Sequence, residues 1–153
     1  MEKYSHDTFQ VTGYKITTTN KGLQSRSDIG AAWAKFLSED MANKIEHKAY
    51  PGVHVVYFNY VNPQNTAERG YDMLIGFLTE AGSAQSDDQF TTITIPAQDY
   101  EYVEVKGEMP MALIEGWKTI NALSPDECRR AFEYDLDMYN EDRSGATITV
   151  SVK

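Results

Sequence analysis

Cysteine is almost absent from this chain: Cys128 is the only one among 153 residues. With no intramolecular disulfide available, the apolar core must hold the fold by itself, and a reducing compartment, the cytoplasm, is the expected setting. Long apolar runs are missing as well. No stretch approaches the ~20 residues that a membrane-spanning helix needs, and the opening segment Met1 to Asp7 has no apolar centre of the signal-peptide kind. A soluble protein without membrane contact is the expectation. Positive charge is scarce: 14 Lys and Arg stand against 23 Asp and Glu, a net charge of -9, and the positives are scattered apart from the pair Arg129-Arg130. Such a surface repels a phosphate backbone, which argues against direct nucleic-acid binding. It concentrates cations instead, so a positively charged small molecule or a basic protein is the better partner.

The usual catalytic signatures are lacking too. There is no Gly-rich phosphate loop, no G-x-S-x-G elbow, no H-E-x-x-H and no C-x-x-C. His6, His47 and His54 have no Cys or His at ligand spacing, so neither a metal nor another cofactor is expected.

What is present is an ordinary globular composition, 41% hydrophobic and 24% charged, in a chain of the commonest single-domain length. Phe9 to Thr19 is rich in β-branched and aromatic residues and reads as a strand. From Asp28 onward, Ile29, Ala32, Trp33, Phe36, Leu37 and Met41 recur at spacings of three and four. That spacing predicts an amphipathic helix capped by Ser27 or Asp28, with Trp33 in the core. Val53 to Val61 and Tyr71 to Glu80 read as a hairpin around the turn-rich Asn62 to Gly70. Ala81 to Gln89 is a polar linker.

The second half repeats this order. A strand is predicted over Phe90 to Lys106 with a bend at Pro96, a helix from Pro110 to about Leu123, and strands over Ala131 to Tyr139 and Ala146 to Val152. Ile29 and Trp33 stand four apart in the first helix, as do Leu113 and Trp117 in the second. A duplication follows: one α+β domain over 1–153, made of two tandem βαββ units (about 9–80 and 90–153) related by a pseudo-twofold axis. Helices should cover one face of the antiparallel sheets and leave a concave ligand cleft on the other.

Within Ala131 to Tyr139 the alternation is sharp. Phe132, Tyr134, Leu136 and Met138 share one face, and Glu133, Asp135 and Asp137 the other. With the apolar face under the helices, Glu133 points into the cleft, while Asp135 and Asp137 run toward the turn and into solvent. Ten tyrosines and two tryptophans supply wall material. Tyr57, Tyr60, Tyr71 and Tyr102 fall on predicted strands, and Trp117 starts beside the cleft, mostly in the core with an edge exposed.

Three segments carry a family resemblance: Val55-Val56-Tyr57-Phe58 leading to Tyr71-Asp72-Met73-Leu74-Ile75-Gly76, Ile95-Pro96-Ala97-Gln98-Asp99-Tyr100, and Ala131-Phe132-Glu133-Tyr134. In this order and spacing, over about Phe9 to Lys153, the chain resembles the GyrI-like effector-binding domains, in particular the stand-alone members found as integron cassettes. The resemblance implies lipophilic, often cationic and aromatic ligands held by an acidic residue at Glu133, with Tyr71 lining the pocket. It implies a drug sensor or sequestering module without its own DNA-binding domain, acting with a second copy or a regulatory protein. Some relatives hydrolyse strained electrophiles, so the alternative is cyclopropanoid or epoxide hydrolysis with Glu133 as base and Tyr71 as acid. A weaker alternative is inhibition of a topoisomerase such as gyrase.

Overall fold

The computed structural model describes all residues from Met1 to Lys153. Eight strands form in chain order: β1 (Glu2–His6), β2 (Phe9–Thr19), β3 (His54–Val61), β4 (Gly70–Thr79), β5 (Thr91–Ile95), β6 (Gln98–Lys106), β7 (Tyr134–Tyr139) and β8 (Gly145–Ser151). The helices are α1 (Gln24–Ser38), the single turn α2 (Met41–Lys44) and α3 (Met111–Asn121). All strands join one antiparallel sheet in the order β1-β6-β8-β7-β3-β4-β2-β5. The two halves meet at the β3–β7 pair, and outward from it the order is β4, β2 on one side and β8, β6 on the other. This is the α+β architecture expected from the repeated strand–helix–strand–strand pattern.

The edges of the sheet depart from that expectation. The long strand predicted over 90–106 is cut at Pro96 into β5, which pairs with β2 of the first half, and β6, which pairs with β8 of the second. A strand not foreseen, β1, precedes the first half yet pairs with β6 of the second. Each half thus lends its leading strand to the other.

These exchanges force the sheet to curl. β1 and β2 stand six places apart in it, which in a flat sheet would be roughly 29 Å at the usual interstrand spacing. Only Asp7 and Thr8 connect them, and three Cα–Cα steps reach about 11 Å at most. The two-residue link Pro96-Ala97 between β5 and β6 imposes the same condition.

The inside of the curl is filled by strand residues alone: Val11, Val56, Phe58, Leu74, Ile95, Tyr100 and Leu136 are buried together, with no helical residue among them. The outside carries the helices. Ala32 and Phe36 of α1 pack with Met41 and Ile45 on Val55, Met73, Ile75 and Phe77. Leu113 and Ile120 of α3 pack on Ala146, Ile148 and Val150. Trp33 lies in the first of these layers, edge-on to Phe36 and Tyr139. No helix is long and apolar enough to cross a membrane.

Helix α1 begins at Gln24, earlier than its expected start at Asp28, and Leu23 at φ 62° stands at its cap. Asp28 serves otherwise: its carboxylate accepts hydrogen bonds from Thr18 Oγ1 (2.8 Å) and Gln24 Nε2 (3.1 Å), tying helix to strand. The 81–89 linker is anchored, since Gln10 donates to Ser83 O (3.1 Å) and accepts from the Gly82 amide (3.1 Å), while the Ser86 amide donates to Glu46 (2.9 Å).

Candidate ligand site

The alternation on β7 is as sharp as its sequence says, but the faces are reversed. Leu136 belongs to the cluster inside the curl, with Tyr134 and Met138 packed against it. Asp135 and Asp137 lie on the helix-bearing side, 0% and 3% exposed. The reason is topological: the curl makes the side away from the helices the driest part of the molecule, so that side takes the aliphatic residues. The space expected to be an open cleft is therefore filled, and the polar side chains of β7 gather between the sheet and the helices.

Asp137 sits where β3 and β7 pair, below α3. Tyr57 Oη donates to one of its oxygens at 2.7 Å, and Trp117 Nε1 donates to the other at 2.7 Å. The rings of Tyr57 and Trp117 meet edge to face at 5.7 Å, and Tyr71 meets Tyr57 likewise at 5.9 Å. No cation lies within ion-pair distance of Asp137; the three salt bridges of the fold are Lys35–Glu39, Lys118–Glu115 and Arg130–Asp135. Burial raises its carboxyl from 3.8 to about 6, against the pull of the two donated hydrogen bonds, and the neighbouring Asp135 adds to the rise. Burial first, and then the charge of Asp137, pushes the Tyr57 hydroxyl well above its usual value, so it remains a donor.

Two local departures from regular strand geometry complete the cluster. In a plain strand Tyr57 and Tyr60 would face opposite sides. Asn59 adopts φ 53° and the β3–β4 register slips between Phe58 and Val61, which turns Tyr60 onto the side of Tyr57. Its hydroxyl donates to Asp135 Oδ2 at 2.5 Å, and its ring lies 6.1 Å from Tyr71 and 5.5 Å from Phe132. Phe132, at φ 53°, breaks the strand expected from Ala131, so its ring leaves the β7 pattern. It is stacked by Arg130 at 4.3 Å and Arg69 at 4.9 Å. Asp135 is held on several sides, by Arg130 Nη2 (2.7 Å), Tyr60 Oη and the Ser151 amide (2.9 Å).

The structure brings together Tyr57, Tyr60, Tyr71 and Trp117 among the residues read from the sequence, and it separates two others. Glu133 is exposed and precedes β7, with only its backbone amide engaged, by Ser151 Oγ at 3.1 Å. It does not point between the aromatic walls. The positive φ of Phe132, one residue before it, ends the strand alternation that would have turned it inward. Tyr102 is on β6, edge-on to Tyr4 at 5.3 Å and bonded to Glu2 at 3.2 Å, remote from the aromatic group around Tyr57. Tyr71 bonds to Asn20 at 3.1 Å. The sequence reading missed Asp135, Asp137, Arg69, Arg130 and Phe132. A usable signal was present for the aspartates: they share a parity, so once the curl claims Leu136, both turn toward the helices.

Tyr57, Tyr71 and Trp117 gather aromatic surface around a buried carboxylate whose two oxygens are taken by Tyr57 and Trp117. Asp135 is already neutralised by Arg130; Asp137 is the carboxylate still without a cation.

The model of the integron-associated effector-binding proteins matches residues 4–152. No curated protein matches the chain. Among solved structures, an integron cassette protein from the mobile metagenome of Vibrio cholerae is similar at a TM-score of 0.75 and 21% identity, with 99% of this chain and 95% of that one covered. The protein SAV2435, determined bound to tetraphenylphosphonium, is similar at 0.75 and 13%, covering 99% and 93%. A protein from Staphylococcus aureus MU50 is similar at 0.71 and 14%, covering 99% and 97%. At these identities the likeness is one of fold.

Proposed function

The chain belongs to the integron-associated effector-binding family, and from that premise we propose that it captures lipophilic aromatic cations with Asp137 as the counter-charge and Tyr57, Tyr71 and Trp117 as the walls. One observation carries this reading: a fully buried carboxylate, raised to about 6, has two hydrogen-bond donors and no cationic partner. A charge in that position is costly when alone and favourable once matched. The likeness to a tetraphenylphosphonium-binding protein supports the choice of ligand. Glu133, exposed on the far side of the Phe132 kink, has no part in it.

The energetics are sufficient. A cation about 4 Å from a carboxylate gains about 4 kcal/mol at an effective dielectric near 20, and each aromatic face adds about 0.5–2 kcal/mol. Part is lost to desolvation and ordering, which leaves micromolar binding, about -8 kcal/mol. Both Asp137 oxygens are taken, so the ligand must displace Tyr57 or Trp117, and binding selects a conformation in which one of these side chains has moved. Because the cation favours the ionised carboxylate, binding near pH 6 releases a proton, and affinity falls as the pH drops below that value.

Titration calorimetry with methyltriphenylphosphonium, and with triphenylphosphine oxide as a neutral counterpart, tests this. The cation should bind with micromolar Kd and the oxide at least ~10-fold more weakly, and Asp137→Asn should erase the difference. Equal affinity for both compounds, or an undiminished preference in the variant, would refute the role of Asp137.

A further inference from the structure

A cavity of opposite charge borders the same cluster at Arg69, Arg130 and Phe132. This cavity, of about 420 Å³, is lined by Arg69, Arg129, Arg130 and Lys153, with Asp126 as the single acidic side chain in its wall; none of Tyr57, Tyr71, Trp117 or Asp137 lines it. The chain carries 14 Lys and Arg against 23 Asp and Glu, so four cationic groups around one cavity run against its overall acidity.

The two deeper arginines are incompletely matched. Arg69 is 7% exposed, yet its guanidinium reaches only neutral acceptors: Pro63 O at 2.9 Å, Asn121 Oδ1 at 3.3 Å and Thr66 Oγ1 at 3.4 Å. Arg130, its side chain 8% exposed, spends Nη2 on Asp135 (2.7 Å) and Nη1 on the same Asn121 Oδ1 (3.0 Å), and its buried Nε has no acceptor. Two guanidinium groups thus converge on one amide oxygen, with Asp135 as their single close counter-charge. Both stack on the ring of Phe132, which fixes their planes. The fork geometry of guanidinium suits a planar or tetrahedral oxyanion. Ile120, Leu123 and Phe132 give the wall an apolar stretch beside the polar Gln64, Thr66 and Asn121, and the volume lies in the usual range for small-molecule sites.

We propose that this cavity is a second binding site, for a small organic anion whose carboxylate or sulfonate head is held by Arg69 and Arg130 and whose apolar body lies against Ile120, Leu123 and Phe132. Arg129 and Lys153 draw the anion to the mouth, where an otherwise acidic surface would repel it. The site is independent of the Asp137 reading: its ligand has the opposite charge and other residues bind it, so either can fail alone.

Titration calorimetry with naphthalene-2-sulfonate tests the proposal, with naphthalene-2-methanol and inorganic sulfate as comparison probes. The sulfonate should bind one to one, at least ~10-fold more tightly than the alcohol or sulfate, and Arg69→Gln should weaken it roughly tenfold or more through loss of a charge-assisted contact. Should Arg69→Gln fail to fold, the double variant Arg129→Gln/Lys153→Gln, on the exposed wall, should weaken the sulfonate about threefold and flatten its salt dependence. Sulfonate binding no tighter than the alcohol, sulfate binding as tightly as the sulfonate, or affinity unchanged in the variants would overturn it.

Discussion

Replacing Asp137 by Asn should stabilise this protein at neutral pH. In the fold the carboxyl titrates at about 6 rather than at its ordinary 3.8. At ~1.36 kcal/mol per pH unit, holding it ionised above pH 6 costs about 3 kcal/mol of stability. The sign follows from proton binding. A carboxyl raised in the fold binds its proton more readily there than in the open chain, so its penalty is complete above about pH 6. The penalty fades as the pH falls and vanishes below 3.8. Between pH 7.5 and pH 5 the relief amounts to about 1.4 kcal/mol. Asparagine keeps the shape: Oδ1 can accept from Trp117 Nε1, and the Tyr57 hydroxyl can turn to accept from Nδ2. Urea unfolding of wild type and Asp137→Asn at pH 7.5 and 5.0 measures the difference directly. Other titrating groups cancel in the comparison, among them His54, which pulls the other way. The expectation is a variant more stable by up to about 3 kcal/mol at pH 7.5, with the gap narrowing by about 1.4 kcal/mol at pH 5. A variant less stable at pH 7.5, or a gap that does not change with pH, would show that the carboxylate is not strained and would remove the physical basis for cation capture.

Three other outcomes follow from the geometry. His54 is buried and its pKa is lowered by that burial, with a weaker opposing contact to Gly52 O. Its contribution is intact above the ordinary value of 6.5 and is lost as the pH falls below it, so His54→Gln should flatten that acid-side loss in denaturant titrations. Tyr60→Phe leaves Asp135 short of its 2.5 Å donor and should cost about 1–3 kcal/mol in urea unfolding; no measurable loss would mean that water replaces the hydroxyl. Gly13 and Gly76 face each other across β2 and β4, and a Cβ on Gly76 would stand 1.9 Å from Thr12 O. Gly76→Ala should therefore lower stability by several kcal/mol, visible as a large fall in Tm or loss of soluble protein, and a variant within about 0.5 kcal/mol of wild type would contradict that packing.

Much of the fold is readable because its signals are local. The 3.6-residue recurrence from Ile29 to Met41 and the alternation of Val53 to Val61 need only neighbouring residues to be interpreted. The duplicated order, and with it the pairing of β3 with β4, follows from the same signals. So does the supply of aromatic wall residues, of which Tyr57, Tyr71 and Trp117 do converge.

The identity of the central carboxylate is not local. A strand such as Phe132 to Met138 has two faces, and its alternation is the same whichever one is enclosed. Only the closure of the sheet, imposed by two-residue links between strands six places apart, made the inside of the curl the driest volume and sent Leu136 there, turning Asp135 and Asp137 toward α3. Likewise Tyr60 joins Tyr57, and Glu133 leaves the strand, through single left-handed residues at Asn59 and Phe132. Composition and periodicity established an acidic, aromatic-rich α+β chain in which a strand–helix–strand–strand order recurs. Which acid is buried, and that Arg69 beside it reaches only neutral acceptors, depended on long-range contacts that no window along the sequence contains.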